Sequence, residues 1–206
     1  GYTASVDTTK LFGETYKHVS TNVSTVDGTG TINVQADTVG RKVVAPGTAG
    51  SMTFTVGGQA EVRALLHTSL IPTNDVVLKI KKTTDTAYTE YRPVKWTLEK
   101  EGTPVAGASN VTLETIAGVI ATDALLNKEI DPNAELTSTT YKLSWAWAFE
   151  GTGDVAGLTI DQADTILGQM EKGGTVYTPS GYEIDTAKSS TELAFDLTIQ
   201  VSQIAK

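Results

Sequence analysis

The sequence predicts a mainly β fold: a jelly-roll-like β-sandwich with short helical insertions and an extended N-terminal segment. Three observations carry that expectation. Threonine fills 34 of the 206 positions, charged residues make up only 19%, and apolar residues alternate with polar ones over long stretches. Threonine and valine suit a pleated, half-buried surface, and a chain poor in charge does not clothe long exposed helices.

Taken in order, the chain opens with Tyr2, Ala4 and Val6 alternating with Thr3, Ser5 and Asp7. Lys10, Leu11 and Phe12 follow, then mixed polar residues up to Asp27-Gly28. So few apolar residues do not hold a strand by themselves, and such a segment frays unless something ties it down. Two readings stand side by side: an ordinary first strand of the same sandwich, or a strand that pairs with a neighbouring molecule. The chain therefore divides into an extended segment, 1–27, whose strand covers 1–12, and a β domain, 28–206.

Within the domain, Ile32-Val34-Ala36 marks a strand. Met52, Phe54 and Val56 form one alternating run and Val62, Ala64, Leu66 and Leu70 another. Gly57-Gly58 between them reads as the tight turn of a β-hairpin. Val76-Leu78-Ile80 and Val94-Trp96-Leu98 are shorter strands. From Thr112 to Leu126, Leu113, Ile116, Ala117, Ile120 and Ala124 recur at helical spacing behind Asn110 as cap. Tyr141, Leu143, Trp145, Trp147 and Phe149 then share one strand face. Thr159-Ile160-Asp161-Gln162 reads as a capping box for a second helix with an apolar stripe of Ile160, Ala163, Ile166, Leu167 and Met170, stopped by Gly173-Gly174. Phe195, Leu197, Ile199 and Val201 form the last strand.

Composition excludes whole classes of chemistry. Sixteen Lys+Arg against 24 Asp+Glu leave a net charge of -8, and a pI near 4.7 argues against nucleic-acid and anionic-membrane partners. Without cysteine there are no disulfides, thiolate metal sites or cysteine nucleophiles. No run of about 18 uncharged apolar residues is present, so no membrane insertion is expected. Gly1 in place of Met is what a removed leader would leave. His18 and His67 lie in no metalloprotease motif, and no nucleophile elbow or phosphate loop occurs, so no enzyme is expected.

Four acids, Glu150, Asp154, Asp161 and Asp164, gather around the second helix. Asp161 and Asp164 are one turn apart and a Gly-rich loop could bring Asp154 near, which makes these three a candidate Ca2+ site. The competing reading is that acids in a first helical turn complement the positive helix end. Trp96, Trp145 and Trp147 could form a carbohydrate platform, but their apolar neighbours argue for core packing. Asn22-Val23-Ser24 and Asn110-Val111-Thr112 are acceptors for N-glycans if the chain is exported.

Ala45-Pro46-Gly47-Thr48-Ala49-Gly50-Ser51, running into Phe54-Thr55-Val56-Gly57-Gly58 and Glu61-Val62, resembles the early hairpin of the TasA/camelysin family. Tyr141 through Glu150, followed by Asp161-x-x-Asp164-Thr165-x-x-Gly168, resembles the later strand and helix of the same family, and the likeness covers roughly 40–170. The family includes bacterial biofilm matrix fibres and archaeal bundling pili. What the resemblance implies is a jelly-roll subunit that is secreted and assembles head to tail into extracellular filaments. Donor-strand complementation is the implied mode, with Tyr2, Ala4, Val6, Leu11 and Phe12 as donor residues binding the groove of the next copy. The metallopeptidase activity ascribed to camelysin-like members has no zinc motif here to carry it. The alternatives are a monomeric cell-surface adhesin or carbohydrate-binding sandwich and, behind it, such a peptidase.

Overall fold

Alternation of period two produces strands that bury one face, and the described chain consists largely of them. The computed structural model describes residues 1–7, 11, 19–22, 32–39, 45–171 and 176–204, with the backbone alone for 19–22, 32–39 and 171. In chain order the first elements are β1 (Tyr2–Asp7), β2 (Val19–Asn22), β3 (Ile32–Val39), β4 (Ala49–Gln59), β5 (Ala64–Asn74) and β6 (Leu78–Lys82). Next come β7 (Thr89–Tyr91), β8 (Val94–Lys100), β9 (Thr103–Pro104), α1 (Leu113–Thr122), β10 (Asn127–Ile130) and β11 (Glu135–Trp147). The remainder are β12 (Asp154–Val155), β13 (Leu158–Thr159), α2 (Ile160–Glu171), β14 (Tyr182–Ile184) and β15 (Ala194–Gln203).

The fold is mainly β. One five-stranded sheet has the order β1-β4-β11-β8-β9 and another β10-β5-β15-β3-β2, while β14-β6-β7 and β12-β13 form smaller sheets. Among the described residues every strand pairing is antiparallel. Both five-stranded sheets contribute to one core cluster, with Phe54, Trp96, Tyr141 and Leu143 from the first and Leu66, Leu70, Phe195 and Leu197 from the second. Register explains individual contacts. Tyr141 lies opposite Phe54, and their rings stack with centroids 5.2 Å apart. Trp96 meets Phe195 of the other sheet edge-on at 5.8 Å. All three tryptophans are buried, as their apolar neighbours imply.

The helices form where the apolar spacing changes from two to 3.6. In α1, Leu113, Ile116 and Ile120 are buried, and the Thr112 hydroxyl accepts the Thr115 amide at 3.3 Å. Thr112, not Asn110, is therefore the cap; Asn110 lies two residues earlier with a left-handed φ of 53°. At α2 the capping box closes both ways. The Gln162 amide donates to the Thr159 hydroxyl at 3.1 Å, and the Thr159 amide donates to Gln162 Oε1 at 2.9 Å. Ala163, Ile166 and Leu167 are buried beneath it. The stop at Gly173-Gly174 lies outside the described residues.

Two further sequence expectations are corrected. Gly57-Gly58 is not a hairpin turn: β4 continues through both glycines to Gln59, and β4 and β5 belong to different sheets. The glycines serve close approach instead. A Cβ on Gly57 would stand 2.9 Å from Ser138 Cα, beside the irregularity between Leu136 and Thr139 in β11. Phe149 is not on the core face either. β11 ends at Trp147, alternation ends with it, and Phe149 is 71% exposed.

Candidate functional site: the first strand and its groove

β1 occupies an edge of its sheet and pairs with β4 from Tyr2 opposite Gly58 to Asp7 opposite Thr53. The alternation in its sequence becomes alternation in space. Tyr2 and Ala4 are buried in the common core, Val6 is half-buried, and Thr3, Ser5 and Asp7 are exposed. At one end of the groove Gly58 has a φ of 119° and the Gln59 amide donates to the Gly1 carbonyl at 3.3 Å. A Cβ on Gly58 would stand 2.7 Å from Tyr2 Cα, so only glycine lets the first strand lie this close. Burial raises the pKa of the Tyr2 phenol.

Beyond β1, the Leu11 side chain is fully buried in the same core. The Trp145 indole N–H donates to the Leu11 carbonyl. Gly50, paired with Trp145 across β4 and β11, makes room for that carbonyl; a Cβ there would overlap it and stand 2.6 Å from the indole nitrogen. Burying side chains the size of Tyr2 and Leu11 is worth about 1.5–3 kcal/mol each before ordering costs. The groove is therefore apolar along its floor and closed by a glycine at each end.

Tyr2, Ala4, Val6 and Leu11, expected in a neighbour's groove, thus lie in the groove of their own chain, and Phe12 is outside the described residues. There β1 covers the edge of β4, whose backbone groups it pairs. Tyr2, Ala4 and Leu11 also share the core of 28–206, so the first residues pack as part of that body.

The three acids do not converge. Asp154 Oδ2 accepts the Gly157 amide at 3.0 Å, holding the turn between β12 and β13, and Asp161 is an exposed first-turn acid of α2. Asp164 is buried, and its Oδ1 accepts from the Tyr91 hydroxyl at 2.7 Å and the Trp147 indole at 3.2 Å. Burial pushes the Asp164 carboxyl up, those two hydrogen bonds oppose the shift, and nearby Asp161 adds to it. Among the described residues no group of three or more His, Asp or Glu is placed to hold a metal ion. Asp164 instead fastens α2 to β7 and β11, which gives the Asp-x-x-Asp-Thr pattern a structural role.

Other polar nodes were not legible in the sequence. The Tyr141 hydroxyl donates to Asp123 Oδ1 at 3.0 Å, and the same oxygen accepts the Leu125 and Leu126 amides, each at 3.0 Å. Arg92 bridges Asp75 at 3.1 Å and Glu90 at 3.2 Å. These partners are brought together by folding, and no local pattern announces them. His67 lies on the exposed side of β5 between Asn127 and Gln200 of the flanking strands, while His18 is outside the described residues. Asn110 is exposed, with its amide donating to the Thr97 hydroxyl at 3.0 Å; Asn22 ends β2.

Comparison with protein-family models, with curated proteins and with solved structures returned no match.

Proposed function

We propose that this chain is a non-enzymatic structural subunit of an extracellular filament, a pilus or matrix fibre, built as a jelly-roll-like sandwich. Copies associate head to tail by donor-strand complementation, the Tyr2–Leu11 segment of one lying in the β4 groove of the next. The observation that carries the reading is the fit of β1: an edge strand, paired with β4, that buries Tyr2 and Ala4. Exchange of an identical element between copies restores every such contact in trans, so the cis arrangement is the closed form of the same interface. Main-chain pairing supplies affinity and alternate side chains supply register.

Chain order supports the jelly-roll part. From β3 the path crosses to β4, back to β5, over to β8, back to β10, over to β11 and back to β15, alternating between the two five-stranded sheets. When the strand of each copy enters the groove of the next, the contact is head to tail, a heterologous interface that extends into a filament where its rotation does not close. An acidic surface keeps nucleic acid out of the partner list. Export would make Asn22 and Asn110 available to glycosylation.

Electron microscopy of the purified chain tests the proposal. Full-length protein should form fibres, and deletion of 1–12 should leave a soluble species that no longer elongates. Undiminished fibres after the deletion would overturn the strand mechanism.

A further inference from the structure

The groove holds the first strand at two points, not one. At the first, Gly58 admits Gly1 and Tyr2 against the backbone of β4. At the second, Gly50 admits the Leu11 carbonyl, which the Trp145 indole binds. From the first seat the pairing with β4 runs unbroken from Tyr2–Gly58 to Asp7–Thr53. A strand displaced by one residue turns every side chain to the wrong face, and one displaced by two keeps its faces but misses both seats.

We infer that Gly58 and the Gly50–Trp145 seat together fix the register of the incoming strand. In that register the core takes an aromatic residue where Tyr2 lies, a small one where Ala4 lies and an aliphatic one where Leu11 lies. A second copy of this chain meets that description, which is the part of the inference that rests on strand exchange. Trp145 acts as a positioning residue: its N–H captures the main chain of the segment, while Gly50 withholds the side chain that would block it. Flat, featureless edges leave register weakly specified; these two seats remove that freedom.

The chain has no cysteine, so an introduced pair reports register without background. Ser5→Cys with Thr55→Cys is the in-register pair, and Ser5→Cys with Thr53→Cys reports a displacement of two. Directly opposed strand positions lie within disulfide reach. In the full-length chain the in-register pair should oxidise at least about tenfold faster than the displaced one. Trp145→Phe, Gly50→Ala and Leu11→Ala should each bring that ratio toward one. Leu11 lies in the common core, so each variant is read where native near-ultraviolet circular dichroism is kept. An unchanged ratio in Trp145→Phe or Leu11→Ala under that condition overturns the inference. Equal rates for the two pairs in the otherwise unsubstituted chain overturn it whatever the variants do. Product mass answers the other question. A register effect confined to intrachain disulfides would contradict exchange while leaving the seats intact, and interchain products without a register effect would do the reverse.

Discussion

The Tyr91 hydroxyl donates to the Asp164 carboxylate at 2.7 Å, joining β7 to the buried side of α2. Trp147 donates to the same oxygen, and Asp164 Oδ2 has no partner within hydrogen-bonding distance. A buried carboxylate held this way is a cost at neutral pH that protonation relieves. Burial raises its folded pKa above the ordinary 3.8, so the folded chain holds the proton more tightly than the unfolded one. The stability it contributes is full below 3.8 and is lost as pH rises through the raised value. Urea midpoints across the acidic range should therefore fall with pH more steeply for the native chain than for Asp164→Asn. Parallel profiles would contradict the assignment.

The reciprocal cap of α2 makes a second prediction. Thr159→Ala removes the acceptor for the Gln162 amide and leaves that donor without its cap. The expected loss is about 0.5–2 kcal/mol in chemical denaturation. No loss would mean that α2 is held entirely by its buried stripe.

What could be read in the sequence follows from how local each signal is. The capping box and the stripe of α2 are contiguous, and both appear as expected. The strand of Phe195, Leu197, Ile199 and Val201 announced its buried face by strict alternation, and the structure buries all four. Gly57-Gly58 misled because a glycine pair serves equally a tight turn and a close approach of neighbouring backbones. Only the position of Ser138 and Tyr2 beside them decides between the two. Phe149 misled because alternation does not announce where a strand ends. Asp164 was visible as a motif residue, but its partners lie 73 and 17 positions away and emerge only on folding.

Phe195 provides a third test, because it joins the two five-stranded sheets through Trp96. Phe195→Ala leaves a cavity at that junction and should cost about 3–5 kcal/mol. A loss below about 1 kcal/mol would show that the junction collapses around the gap or that the ring contributes little.

Phe149 provides the opposite case. It is 71% exposed, so Phe149→Ala should change stability by no more than about 0.5 kcal/mol. A core-sized loss by thermal or urea unfolding would return the residue to the buried face that alternation alone assigned it.

The central claim is that the strand beginning at Tyr2 fills a groove in another copy when copies assemble. The decisive measurement is oxidation of the full-length Ser5→Cys, Thr55→Cys chain under assembly conditions, followed by a denaturing, non-reducing gel. Strand exchange yields a ladder of covalently joined multiples, since each disulfide then links two chains. A single band at the mass of one chain, with the disulfide closed inside it, would contradict the account.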